Sequence, residues 1–232
     1  MAKERLEPQI VRKDLGFPTL AEAREILGGR LPRVFEEYDF PVPGIVLTEN
    51  GPRVPVYPAS GKGFDFPGTF FRNGYLHPKI EAMRGFVLDP FAMCGEFTRP
   101  EMFDKNRPQI EVEKDWDWFN NVVVDTVNYK LAIPRAGVIL ALCEGVPVDD
   151  GMSSEMAYTA TNAAIVIAVR SDFRGGENLA TGTNPAVSIF AKEKYGGQYF
   201  ESALGDSAYQ QAFAAVKIII DQRIARWEQT KS

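Results

Sequence analysis

Apolar positions along this chain follow two periods, and the switch between them outlines the fold. Short apolar runs stand at RVPVYPAS (53–60), at GFVLDPFAMC (85–94), which reads as a strand running into a loop, and at VILALC (138–143) and IVIAVR (165–170). Runs of this length with little polar alternation predict strands buried on both faces. SSEMAYTATNAA lies between the last two and reads as a helix. Strand, helix and strand in succession form a βαβ unit, which predicts a parallel sheet with a right-handed crossover. At the C-terminus Tyr209, Phe213, Val216, Ile220, Ile224 and Trp227 recur at steps of three and four. That stripe predicts an amphipathic helix of about 20 residues lying on the sheet, with Ser207 as a candidate N-cap.

The same pattern predicts an α/β fold, a parallel sheet of about five strands with flanking helices, flavodoxin-like or Rossmann-like. Residues 1–50 read as an N-terminal extension to a main domain at 51–232. Within the extension, Thr19 and Glu22 have capping-box spacing, and AEAREIL ends at Gly28-Gly29, so a short helix is expected over 19–28. The stretch from Pro41 to Pro58 is punctuated by proline and glycine and reads as irregular connection leading into the first strand. HPKIEAMR is helical. Residues 95–118 read as a loop-like insertion whose Trp116 and Trp118 are costly to expose. NNVVVDTVNYKLAIPRA is a helix, or a strand followed by a short helix.

Composition narrows the function classes. Of 232 residues, 45% are hydrophobic, enough for a substantial core, and the formal net charge of −5 lacks the basic footprint of a duplex nucleic-acid binder. Cys94 and Cys143 form no CxxC pair, no apolar run approaches a membrane span, and the first residues lack a signal-peptide core. These features predict a cytoplasmic protein with reduced thiols. His77 is the single histidine, so multi-histidine metal sites are excluded and acid–base chemistry must lean on carboxylates. GKGFDFPGTFF matches neither GxxxxGK[ST] nor GxGxxG, and no cofactor is called for.

Candidate chemistry gathers in residues 146–174, where Asp149, Asp150 and Glu155 surround a helix start between two strands. Ligands in open α/β sheets sit beyond the carboxyl ends of the strands, and this loop leaves a strand at that edge. Ser153 or Ser154 is expected to cap the helix and place Glu155 in its first turn. A carboxylate there gains roughly 0.3–1 kcal/mol from the helix dipole, a purely structural role. Asp149 and Asp150 likewise suit a turn ahead of Gly151. Three acids so close together repel one another unless a ligand or donor compensates. They are candidates on that ground.

Between Val138 and Arg174, and most closely from Asp149 to Tyr158, the chain resembles the nucleoside 2-deoxyribosyltransferase family. The family carries D-x-G-x-x-x-E-x-[GA]-Y after an aliphatic strand, then a helix, a strand and a D-x-R element, here Asp172-Phe173-Arg174. Val56-Tyr57-Pro58-Ala59-Ser60 resembles its first strand. The resemblance covers roughly 53–205. It implies that Glu155 is the nucleophile, that Asp149 binds the sugar hydroxyls, that Gly151 belongs to the substrate site, and that Tyr57 orients the nucleophile. Asn184, in competition with Asn178, would reach into a neighbouring subunit's site, which implies a homo-oligomer. The family's Asp before the aliphatic strand is replaced here by Gly137, so Asp125 or a loop group would have to assist the base.

The implied reaction moves a 2-deoxyribosyl group between nucleobases through a glycosyl-glutamate, with retention. Burial and Asp149 disfavour the charge on Glu155, whereas the helix N-terminus and hydroxyl donors favour it. The second set is expected to prevail, since a protonated carboxyl cannot attack. Phe64, Phe66, Phe70 and Phe71 are expected either to pack in the core or to cover the site against water. One alternative is a nucleoside or nucleotide N-glycosidase using the same glutamate, with Ser60, Gly61 and Lys62 near a phosphate. Others are a non-catalytic ligand-binding protein and a divalent-metal site at Asp149, Asp150 and Glu155. The expected partners are 2′-deoxynucleosides and free nucleobases.

Overall fold

Thr19 and Glu22 form the capping box that their spacing predicts. In a computed structural model, which describes residues 17–61, 66–144, 150–160, 164–171, 191, 196–202 and 206–231, the Thr19 hydroxyl accepts from the Glu22 amide at 3.2 Å. The Glu22 carboxylate accepts from the Thr19 amide at 2.8 Å. This box starts α1 (Leu20–Ile26), which ends where Gly28 and Gly29 adopt φ of +77° and +99°. A short α2 (Arg33–Glu37) follows.

The next segment departs from expectation. Instead of an irregular connection, residues 39–59 form a meander of β1 (Asp39–Val42), β2 (Ile45–Thr48) and β3 (Gly51–Ala59), with antiparallel pairing at both steps. Its prolines hid it, because proline cannot donate to a ladder and argues against a strand in sequence. β1 lies at an end of the strand order, where Pro41 costs no ladder bond, and Gly44 and Gly51 supply the positive φ of the two turns.

A helical stretch follows β3, with α3 (Phe66–Phe71) passing through a π-helical turn at 72–76 into α4 (His77–Ala82). β4 (Gly85–Val87) then leads to α5 (Pro90–Gly95), a helix where the sequence pattern predicted a loop, N-capped by Asp89. The region 95–118 is also more regular than predicted. It holds a 3₁₀ turn at 100–103 and α6 (Gln109–Trp118). α6 runs on without a break as a π-helix over 119–132 and ends in α7 (Ile133–Arg135), which resolves the ambiguity there in favour of helix. β5 (Val138–Leu142), α8 (Asp150–Ala160), β6 (Ile165–Arg170), β7 (Gln198–Glu201) and α9 (Asp206–Gln229) complete the chain. Ser207 lies inside α9 and not at its cap.

The sheet is mixed and has seven strands, not the expected five. Five of them, in the order β4-β3-β5-β6-β7, are parallel, and the two additional strands are the antiparallel β1 and β2 from the N-terminal region. Alternate residues of each central strand feed separate cores. Tyr57, Ala59, Ile139, Ala141, Val166 and Ala168 face one core with α8 and the π-helix, while Val56, Leu140, Ile167 and Val169 face the other with α9. From β3 the chain steps out to β4 and returns to β5 on the opposite side. Strand order therefore reverses between β3 and β5, and a crevice is expected at their carboxyl ends. No helix among the described residues is long and apolar enough to cross a membrane.

Candidate active site

A cavity of about 580 Å³ opens at that switch point, bounded by Ser60 after β3, by α5, by the α6–π-helix arm and by the first turns of α8. Its volume lies in the range of small-molecule sites. Glu155 projects into it from α8 and is only 8% exposed. A carboxylate so far from water needs donors, and it has them. The Tyr57 hydroxyl donates a short hydrogen bond to Oε1, and Asn128 Nδ2 stands 3.5 Å from the same oxygen. Tyr57 is fully buried. Burial first, and then the adjacent Glu155 charge, push its pKa well above the ordinary 10.0, so the phenol stays protonated and keeps donating.

The sequence-predicted residues are brought together in part. Tyr57 and Glu155 meet directly, although 98 positions separate them in sequence. Gly151 lines the cavity at the exposed start of α8. Asp149, Asn184 and Asn178 lie outside the described residues, as do Phe64 and Lys62. Asp125 does not line the cavity. It is half-exposed on the π-helix and pairs with Lys130 at 2.7 Å, so it is not placed to assist a base.

Two expectations about local support are corrected. The helix starts at Asp150 and not at Ser153 or Ser154, which puts Glu155 in the second turn. Ser154 Oγ instead donates back to the Asp150 carbonyl at 2.9 Å. The dipole effect fades within the first turn, so side-chain donors take the place assigned to the helix terminus. Gly137 is the second case. It precedes β5 at the amino end of the sheet, whereas the cavity lies at the carboxyl end. A Cβ there would stand 2.5 Å from Val54 Cγ1 and 3.2 Å from the Gly44 Cα. Glycine at 137 thus reflects backbone packing and carries no information about the base.

Of the phenylalanines expected in the core or as a cover, Phe64 and the side chain of Phe66 lie outside the described residues, and Phe70 and Phe71 do not line the cavity. Phe70 is 72% exposed, and Phe71 packs against Tyr75 and Tyr209 on the α9 side of the sheet. The aromatic wall comes instead from Phe91, Phe103, Trp116 and Phe119. Asn128 was not singled out from sequence either. It is buried, and its Oδ1 accepts from the Cys94 thiol at 3.5 Å. An amide beside Val127, within the buried stripe Val123, Val127 and Leu131, is the signal that could have found it.

Cys94 also lines the cavity; burial, then the Glu155 and Asp89 charges, push its thiol up to about 12, so it is a neutral donor there. His77 does not line the cavity. Its Nε2 lies 3.8 Å from Asp89, which pairs with Arg72 at 3.1 Å, and burial lowers its pKa. Among the described residues no group of three His, Cys, Asp or Glu is placed to hold a metal ion. The arrangement holds one carboxylate in an aromatic-walled cavity, with its orientation set by a phenol and an amide that both reach one of its oxygens.

No protein-family model matches the chain, and no curated protein matches it. Among solved structures, a conserved protein from Enterococcus faecalis is similar at 16% identity, with a TM-score of 0.43, over 74% of this chain and 99% of that one.

Proposed function

We propose that this protein transfers a 2-deoxyribosyl group between nucleobases, with Glu155 as the nucleophile. The observation that carries the reading is the Glu155 carboxylate, buried in an aromatic-walled cavity at the strand-order switch and held by the Tyr57 phenol. Similarity of residues 149–158 and 172–174 to the deoxyribosyltransferase motifs supports it. As the C1′–N bond breaks, its electron pair leaves with the base, which takes up a proton, and positive charge builds on the sugar. The glutamate stabilises that charge and bonds to C1′. A second base attacks the same face through its nitrogen, expels the carboxylate and loses a proton, so configuration is retained. Tyr57 and Asn128 orient the nucleophile. Asp149 and Gly151 serve the sugar, and no metal or cofactor takes part. The enzyme works in the cytoplasm as a homo-oligomer whose sites are completed by Asn184 or Asn178 of a neighbouring copy.

The test is incubation with a 2′-deoxynucleoside and a different free base, followed by separation of products. A new nucleoside is expected, and E155A is expected to reduce its formation at least about a thousandfold while the fold is retained. Free deoxyribose alone would replace the reading with an N-glycosidase. Unchanged turnover in E155A would remove Glu155 from the chemistry.

A further inference from the structure

The cavity lining holds a polar group and an aromatic one. Glu155 and Asn128, joined by a hydrogen bond, form the polar group of the lining, and Phe103, Trp116 and Phe119, in mutual ring contact, form the aromatic one. We infer that Trp116 is the platform on which the nucleobase stacks, and that the 95–118 segment is the base-binding half of the site. This inference rests on the proposed reaction for the identity of its ligand.

Three features of Trp116 make it a platform and not filler. Its indole Nε1 donates to the Met102 carbonyl at 3.2 Å, which fixes the ring's rotation. Phe103 and Phe119 meet it nearly perpendicularly, both with centroids at 5.5 Å and with interplanar angles of 86° and 77°. The helix carrying it is braced through Arg107, which reaches Asp115 at 2.7 Å and Glu111 at 3.3 Å. Phe103, 61% exposed, lines the cavity together with Trp116 and extends its aromatic surface. Planar heteroaromatic rings bind such surfaces through their faces, and this works for every base. Among the described lining residues, Glu155 is the single charged one, so the base is held chiefly by area and not by charge pairing.

Trp118 and Trp227 do not line the cavity, so a W118F/W227F background isolates the emission of Trp116. In that background carrying E155Q, titration with 2′-deoxyadenosine and with 2′-deoxycytidine is expected to quench Trp116 saturably. Substituting W116A in otherwise wild-type protein is expected to weaken binding of both nucleosides, measured by calorimetry, by about tenfold, and W116F to recover most of the loss. A nucleoside that binds calorimetrically without changing Trp116 emission overturns the platform. So does a folded W116A or W116F protein in which aromatic character makes no difference to affinity. If Trp116 is quenched but wild-type protein neither exchanges nor hydrolyses the nucleoside, the platform stands and the transferase reading falls. If base exchange occurs while Trp116 stays silent, the reverse holds. Failure of both nucleosides to bind removes both.

Discussion

At the scale of single residues, the decisive contact is between a phenol and a carboxylate that the chain brings together across 98 positions. A hydrogen bond to a charged group is worth about 1.5–3 kcal/mol. Removing the Tyr57 hydroxyl in Y57F is therefore expected to slow base exchange by about ten- to a hundredfold with little change in KM, since Tyr57 touches the nucleophile and not the ligand. N128L should act in the same direction and more severely, because it also strands the Cys94 thiol. Steady-state kinetics on both variants, with circular dichroism as a check on folding, measures this. A Y57F protein that loses affinity but keeps kcat would move Tyr57 from orienting the carboxylate to binding substrate. The carboxylate and the phenol were readable as candidates, because each sits at a strand end or helix start in a motif. Asn128 was not, because a helix of unpredicted winding decides which of its side chains turn toward Glu155.

At the scale of elements, β5 shows how a motif position can mislead. The residue before this strand was read as a vacated catalytic place. In three dimensions it is a crossing point, where the Gly137 amide donates to the Pro55 carbonyl at 2.8 Å and the Gly44 backbone passes beside it. Overpacking of this kind costs about 1–3 kcal/mol, and a buried carboxylate adds to it. G137A is expected to lower stability by about that amount and G137D by more, without any gain in exchange rate, as denaturant unfolding and the base-exchange assay would show. A stable G137D with faster exchange would restore the vacated-acid interpretation. The helices tell a complementary story. The capping box of α1 and the stripe of α9 were legible because both are local patterns, whereas α6 was hidden by having no apolar face of its own and no buried residue.

Across the whole molecule, acidic groups are buried in both cores in their neutral form. Burial pushes the Cys94 and Cys143 thiols up to about 12 from an ordinary 9.0, and it drives Tyr57 and Tyr209 well above 10.0, with Glu155 and Glu144 respectively adding to the shift. Each group's folded pKa exceeds its unfolded one, so the native state binds more protons in alkali and stability falls as pH rises. The contribution is complete below about pH 9, declines first through the thiols and then, above about pH 10, through the phenols as well. The denaturation midpoint should therefore drop steadily above pH 9. In C94A/C143A the onset should shift toward pH 10; a midpoint flat to pH 11 would show that these groups are not buried as described.

The alternation of aliphatic runs with helical stripes was enough to determine an α/β chain with a parallel core, because burial on both faces of a strand is written into its own residues. Local chemistry also marked Glu155 as a candidate, and the resemblance to a known family added Tyr57. Two things were decided only by tertiary structure. The first is the sheet's width: β1, which carries Pro41, and β2 become strands through antiparallel pairing of β1 with β2 and of β2 with β3. The second is the composition of the cavity wall, since Phe91, Asn128 and Trp116 converge through helix packing. Long-range pairing and side-chain convergence depend on partners distant in the chain, and no window of sequence contains them.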